Sequence, residues 1–428
     1  MLYSLLMEIV LKGNICYSQS IDKLITVENG YLVCDGKHLL GLFKKLPRQY
    51  KDFPLIDYED SVIIPGLCDL HVHAPQYAFR GLGMDMELLD WLNTYTFPEE
   101  SKYVEIDYAN RAYEIFVSAV KRSATTRACV FATLHTPATV LLMEKLEKSG
   151  VVSFVGKVGM DRNCPDYLKQ ANPDAAYAST KAWIEDVNGR FINTTPIITP
   201  RFIPTCSDEL MRKLKDLQQE YSLPVQSHLS ENVSEVSWVT ELCPQAKSYA
   251  DAYEHFNMLG SESAATIMAH CVYCNDIDEK LLKKNGVYVA HCPQSNFNLS
   301  SGIAPIRKYL KKGIKVGLGS DVAGGCHLSV FRAMSDAIQA SKLYWRLIDQ
   351  SCEPLSINEA FYLGTAGGGS FFGKTGKFEP GYEFDAVVID DTTIPTTNPL
   401  SLQERLARII YCSGASNILA KYVRGKAV

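Results

Sequence analysis

Nowhere in this sequence do about 18 apolar residues run without a charge, the length a helix needs to cross a bilayer. Excess positive charge is missing as well. Forty-three lysines and arginines stand against 48 acidic residues, a net −5, and the basic residues are scattered rather than striped, which argues against nucleic acid as a partner. The chain has no low-complexity segment, long linker or internal repeat. It also lacks the dense cysteine framework of a small secreted domain: thirteen cysteines, an odd number, are spread over 428 residues, as expected for reduced thiols in a cytoplasmic protein. Two zinc signatures are absent, His-Glu-x-x-His and the pairing of His-x-Glu with Pro-Cys-x-x-Cys. Cys271 and Cys274 are spaced Cys-x-x-Cys, but they have no second pair and no preceding proline, so they read as core or rim thiols. Met1 to Val10 is apolar, yet no basic segment precedes it and Glu8 interrupts it. It reads as a β-strand rather than a secretion signal. A soluble protein with one large domain and a smaller one remains.

What is present is alternation. From Ile63 onward, short apolar runs alternate with longer amphipathic segments, the pattern of βα units around a parallel sheet. Eight runs qualify: Ile63 to His73, Ala128 to His135, Val151 to Met160, Thr195 to Phe202, Leu223 to Leu229, Thr266 to His270, Gly286 to His291 and Lys315 to Asp321. Between them Asp107 to Val120, Ser207 to Tyr221 and Ile303 to Lys312 repeat apolar residues at helical spacing, with Ser207 as an N-cap. Eight such strands predict an α/β fold, a (β/α)₈ TIM-type barrel. The flanks differ: Ile25 to Leu46 has β-type patterning with turn signals at Asn29-Gly30 and Asp35-Gly36, and Phe384 to Asp390 reads as a further strand. The expected organisation is a barrel over 61–372 and a small β-rich domain built from both termini. Residues 1–60 supply one part of that domain, and 373–428 supply the other part and a terminal helix.

The chemistry collects at the ends of these runs. His71 and His73 alternate along a strand, so both imidazoles share a face while Val72 points away. An isolated His-x-His means little, but His135, His228, His270, His291 and Asp321 recur at other run ends, and barrel enzymes place their chemistry at the carboxyl ends of the strands. His71, His73, His228 and Asp321 make a nitrogen and oxygen donor set with room for a water, as a catalytic zinc requires. Glu231, three residues beyond His228, is placed to accept a proton from that water and deliver it to a leaving nitrogen. His135 and His291 stay open between packing and supporting hydrogen bonds.

These residues resemble the amidohydrolase superfamily, and within it the guanine deaminases. Pro65-Gly66-Leu67-Cys68-Asp69-Leu70-His71-Val72-His73-Ala74-Pro75-Gln76-Tyr77 is similar to that family's signature, as are Leu88 to Pro98, Thr199-Pro200-Arg201-Phe202, Gln226 to Asn232, Met268-Ala269-His270, Ala290 to Pro293 and Gly317 to Gly325. The resemblance spans nearly the whole chain. It implies hydrolytic deamination of guanine to xanthine and ammonia by a zinc-activated water in purine catabolism or salvage, in a cytoplasmic homodimer. One zinc per subunit would be held by His71, His73, His228 and Asp321, with iron as the alternative metal. The bridging lysine of a binuclear site is missing from Thr199-Pro200-Arg201-Phe202. His270 would hydrogen-bond the attacking water or the tetrahedral intermediate, and Glu231 would shuttle protons, so that Glu231, His270 and Asp321 form the catalytic group. Arg201 and Gln76 would hold the purine's polar edges between walls of Phe202 and Trp91, with His228 also against the ring. A planar guanidinium suits a carbonyl oxygen such as guanine O6. The runner-up is a related deaminase or chlorohydrolase acting on another purine, a pterin or a triazine. Two stretches depart from the family pattern: Ser123-Ala124-Thr125-Thr126-Arg127 replaces a glycine followed by three threonines, and Cys271 stands where glycine is common.

Overall fold

Buried parallel strands read as near-continuous apolar runs because helices cover both faces of their sheet, and such runs dominate the middle of the chain. The computed structural model describes residues 8–260 and 264–428. Most of the strand expected over Met1 to Val10 lies outside them; its end opens the strand Ile9–Ser20.

One four-stranded parallel sheet runs Leu67–His73, Thr125–Phe131, Val152–Gly156, Thr194–Pro196. A second runs Val225–Leu229, Thr266–His270, Tyr288–His291, Lys315–Leu318. Between them lies the short parallel pair Val158–Gly159 and Thr199–Pro200. Helices separate successive strands, among them Ile106–Arg122, Thr136–Ser149, Pro173–Val187, Asp208–Tyr221, Asp276–Lys284 and Ile306–Lys312. Asp208–Tyr221 starts as expected, because the Ser207 hydroxyl accepts the Leu210 N–H at 3.1 Å and satisfies one of the free amides of the first turn. Backbone bonds join the two sheets at both sides. Ile198 bridges Val225, while the Asp321 N–H donates to the His71 carbonyl at 2.8 Å and the His73 N–H to the Val322 carbonyl at 3.1 Å.

A separate seven-stranded sheet takes strands from both ends of the chain, in the order Lys426–Ala427, Ile418–Val423, Ala386–Ile389, Leu55–Pro65, Ile9–Ser20, Lys23–Cys34, Leu39–Phe43. Ile63 and Ile64 stand opposite Val388 and Val387 at its centre. Leu11, Ile15, Leu32, Ile63, Phe384 and Val388 form its core. Arg127, from the first parallel sheet, is bonded to Asp385 at 2.6 Å and Glu383 at 2.7 Å beside this sheet.

Three expectations are corrected here. The run Ile63 to His73 is two strands: Leu55–Pro65 belongs to the seven-stranded sheet, and only Leu67–His73 belongs to the parallel one. The break is Gly66, where an added Cβ would lie 2.1 Å from Thr126 Oγ1, so only glycine lets the strands cross this closely. Asn29-Gly30 is not a hairpin turn but lies within Lys23–Cys34, at a bulge that Asn29 accommodates with φ 48°. The turn is at Asp35-Gly36. The second run ends at Phe131, and His135 instead precedes the helix Thr136–Ser149. Among the described residues no helix is long and apolar enough to cross a membrane, and all thirteen cysteines are free thiols.

Candidate active site

Strand alternation turns His71 and His73 to the same side, and they meet the ends of two strands from the other sheet. The Nε2 atoms of His71 and His73 are 3.2 Å apart, and His228 Nε2 lies 3.3 Å from His73 Nε2. Asp321 Oδ1 is 3.2 Å from His71 Nε2 and 3.5 Å from His73 Nε2. His228 is oriented by its other nitrogen: Nδ1–H donates to the Arg201 carbonyl at 2.6 Å, so Nε2 presents a lone pair. Burial, reinforced by the neighbouring imidazoles, holds the His73 and His228 pKa values well below the usual range and keeps these rings neutral. Burial alone would raise Asp321, but the adjacent histidines, His71 first, outweigh it and hold its carboxyl well below the ordinary range. Neutral imidazole lone pairs and one carboxylate converging at these distances are a donor set for a divalent metal, so the residues fit such an ion.

Glu231 and His270 sit beside this set. His270 Nε2 is 3.3 Å from Glu231 Oε2 and 3.7 Å from Asp321 Oδ2, and His270 Nδ1 is 3.0 Å from the side-chain oxygen of Asn296. Burial, then the charges of Asp321 and Glu235, push the Glu231 carboxyl well above its usual pKa. Glu235 fixes the segment carrying Glu231: one carboxylate oxygen accepts the N–H groups of Glu231 at 2.8 Å and Asn232 at 3.2 Å, and the other accepts the Tyr249 hydroxyl at 2.6 Å. Ser230, His270, Cys271 and Asp321 all have left-handed backbone, with φ 52°, 72°, 50° and 45°. Non-glycine residues pay about 1–3 kcal/mol for such conformations, which concentrate at functional sites. Cys271 therefore holds a conformation that glycine would hold without strain.

The metal donors open onto a cleft lined by the polar residues Gln76, Arg201, Glu231 and Glu235 and by the apolar residues Leu88, Trp91, Leu92, Phe202 and Leu299. Trp91 is pinned by its indole N–H, which donates to the Leu82 carbonyl at 3.0 Å, and by the Phe79 ring. The helix Leu88–Trp91 continues through a π-helical turn, Leu92–Thr96, into Phe97–Ser101, where Pro98 occupies the first turn. Such widened turns recur at functional sites.

All ten residues expected at the site from the sequence, His71, His73, Gln76, Trp91, Arg201, Phe202, His228, Glu231, His270 and Asp321, line or adjoin this cleft. His135 and His291 do not line it. Both ring nitrogens of His291 are buried without partners, and burial, then His270, takes its pKa down to about 3. Four buried residues were not anticipated: Asp69, Glu100, Glu235 and Asn296. Asp69 accepts the Ser320 N–H at 2.9 Å, the Ser320 hydroxyl at 2.5 Å and the His71 N–H at 3.3 Å, so it ties the strand ends of two donors together. Strand periodicity alone could have found it, because Asp69, His71 and His73 alternate.

Residues 62–428 match the amidohydrolase family model. The chain is 36% identical over 442 aligned residues to guanine deaminase of Dictyostelium discoideum, covering 97% of each chain. It is 37% identical over 381 residues to guanine deaminase of Homo sapiens, covering 85% of this chain and 82% of that one. Guanine deaminase from C. acetobutylicum, solved with bound guanine in the active site, has a TM-score of 0.96 to this structure, at 44% identity, covering 98% of this chain and 100% of that one. By sequence along its whole length and by fold, the chain belongs to the amidohydrolase family and, within it, to the guanine deaminases.

Proposed function

We propose that this protein hydrolyses guanine to xanthine and ammonia, with one zinc ion held by His71, His73, His228 and Asp321. The observation that carries the reading is the convergence of three histidine nitrogens and one carboxylate beside a cleft that Arg201, Gln76, Trp91 and Phe202 also line. The relative with guanine in its active site shares nearly the full length of the chain and its fold. When bound, zinc acidifies a water so that attack is feasible at neutral pH.

The chain's own residues do the rest. Trp91, Leu88 and Phe202 hold the purine between apolar walls, and Arg201 donates to its carbonyl oxygen, presenting C2 to the water. As the water oxygen bonds to C2, Glu231 takes one of its protons and delivers it to a ring nitrogen. Its raised pKa, produced by burial and by Asp321 and Glu235, suits a group that must accept a proton and give it back. The remaining water proton leaves with the amine as ammonia, and C2 keeps the oxygen as a carbonyl. His270, its Nδ1 tied to Asn296, aims Nε2 at the reacting oxygen.

The same proposal takes the two parallel sheets as arcs of one (β/α)₈ barrel, supported by the Ile198 to Val225 bridge and the bonds between His71 to His73 and Asp321 to Val322. The barrel runs over 67–372, beginning later than the expected 61 because Leu55–Pro65 belongs to the seven-stranded sheet, and that sheet with the helix Leu402–Cys412 forms the small β domain from both parts of the chain. A homodimer in a reducing, cytoplasmic compartment completes the reading, and the free thiols support the compartment. The test is ammonia release from a panel of purines, pterins and triazines by purified zinc-loaded protein. Xanthine from guanine is expected; turnover of a pterin or triazine with none of guanine would replace guanine as the substrate.

A further inference from the structure

We propose that Glu100 sets which rings the cleft accepts: by pairing with Arg201 and Gln76 from behind, it turns their N–H groups toward a neutral, carbonyl-bearing ring and stops Arg201 from serving as a receptor for anions. The inference rests on the reading above that Arg201 and Gln76 face guanine.

Glu100 is 2% exposed and sits in the Phe97–Ser101 turn that follows the π-helical segment. Its two carboxylate oxygens have different partners. Oε2 accepts Arg201 Nη1–H at 2.6 Å, and Oε1 accepts Gln76 Nε2–H at 2.9 Å. Gln76 has no freedom left to flip, because its side-chain oxygen already accepts the Ala323 N–H at 3.2 Å. With the amide oxygen and one amide hydrogen used, the second hydrogen is what Gln76 can offer a ligand. Arg201 is held on its Nη1 side by Glu100 and packs over the Phe97 ring at 5.2 Å, which leaves its other donors for the cleft. Glu99 does not share this role: it bonds outward to Lys102 and Tyr108.

Two consequences follow. Both polar groups hang from one carboxylate, so their spacing is set by a single rigid side chain rather than by two flexible ones. A buried arginine without a counter-charge would also favour carboxylates, phosphates or deprotonated rings over a neutral carbonyl. Glu100 cancels that charge and leaves directional N–H groups.

The experiment uses full-length zinc-loaded protein with Glu100→Gln and Glu100→Asp, measuring guanine kcat and KM, zinc content, and inhibition by urate, a purine that is a monoanion at neutral pH. Glu100→Gln should raise KM by about tenfold or more, as expected for loss of a charge-assisted bond pair, with kcat less affected and zinc content unchanged. Urate inhibition should tighten by a similar factor. Glu100→Asp should keep urate binding weak while raising KM, because it retains the charge but not the reach. An unchanged KM, or a raised KM without tighter urate binding, would overturn the proposal. If Glu100→Gln does not fold, the charge-free pair Glu100→Gln with Arg201→Met replaces it. There, with no guanidinium left to receive an anion, Glu100→Gln should not tighten urate binding beyond that of Arg201→Met alone, and tighter urate binding in the pair would overturn the inference. Wild-type protein that makes no xanthine from guanine would defeat the functional reading itself, a result distinct from any of these.

Discussion

Replacing Glu231 with glutamine removes the proposed proton carrier and little else. The backbone N–H of residue 231 stays clamped by Glu235 at 2.8 Å, and the side chain keeps Ser301 at 3.4 Å and His270 at 3.3 Å as neighbours. The change also removes one of three crowded carboxylates, since Asp321 and Glu235 both bear on Glu231. The variant should therefore fold with no loss of melting temperature, carry its metal and bind guanine. A positioned acid or base contributes about 10²- to 10⁴-fold. Glu231 is assigned both the proton taken from water and the proton given to the ring, so the loss should fall at the upper end, about 10⁴-fold. At 1.36 kcal/mol per decade that is about 5 kcal/mol of transition-state stabilisation. Xanthine appearance followed by absorbance gives the rate, and titration calorimetry with guanine gives the binding. A variant that binds guanine and turns it over within tenfold of wild type would refute the assignment and move proton transfer to His270.

Chelation should abolish turnover and added zinc should restore it, while Asp321→Ala should lower bound metal, measured by elemental analysis, together with rate; full activity in metal-free protein would sink the metal reading. Arg201→Lys keeps the charge but loses the planar fork, so guanine KM should rise by about tenfold or more at unchanged zinc content, and normal kinetics would make Arg201 structural. Arg127→Met leaves Asp385 buried without its partner and should cost about 3–5 kcal/mol, read from denaturant unfolding, with an unshifted midpoint as the contrary result. Burial would raise Glu383, but Arg127 and Arg424 draw its pKa down to about 2, so the stability it lends is present above its ordinary value of 4.5 and is lost as pH falls towards 2. In Arg127→Met acid unfolding should accordingly begin at a higher pH.

Sequence periodicity carried the donor set because its members stand at the ends of apolar runs, His71 and His73 by alternation and His228 and Asp321 by position, and it placed His270 beside them in the same way. It did not separate Leu55–Pro65 from Leu67–His73, since both stretches are apolar and the break depends on how closely Gly66 passes Thr126. Asn29-Gly30 carried the usual sign of a hairpin, but the long pairing of Ile9–Ser20 with Lys23–Cys34 absorbed the left-handed residue as a bulge. Glu100 and Glu235 were hidden for another reason. An acidic residue in a helical turn normally faces water, and only the three-dimensional packing shows that both Glu99 and Glu100 are buried, with Glu100 on Arg201 and Glu99 on Lys102 and Tyr108.

The seven-stranded sheet makes the order of synthesis matter. Ile63 and Ile64 leave the ribosome more than 300 residues ahead of their partners Val388 and Val387. At about 5–20 residues per second the Leu55–Pro65 strand waits for tens of seconds with one edge paired to Ile9–Ser20 and the other bare. An unpaired apolar edge is a template for the wrong chain. During that interval the nascent protein depends on the arrival of Ala386–Ile389 to become safe, and a chain cut short before Ala386 would keep the bare edge permanently.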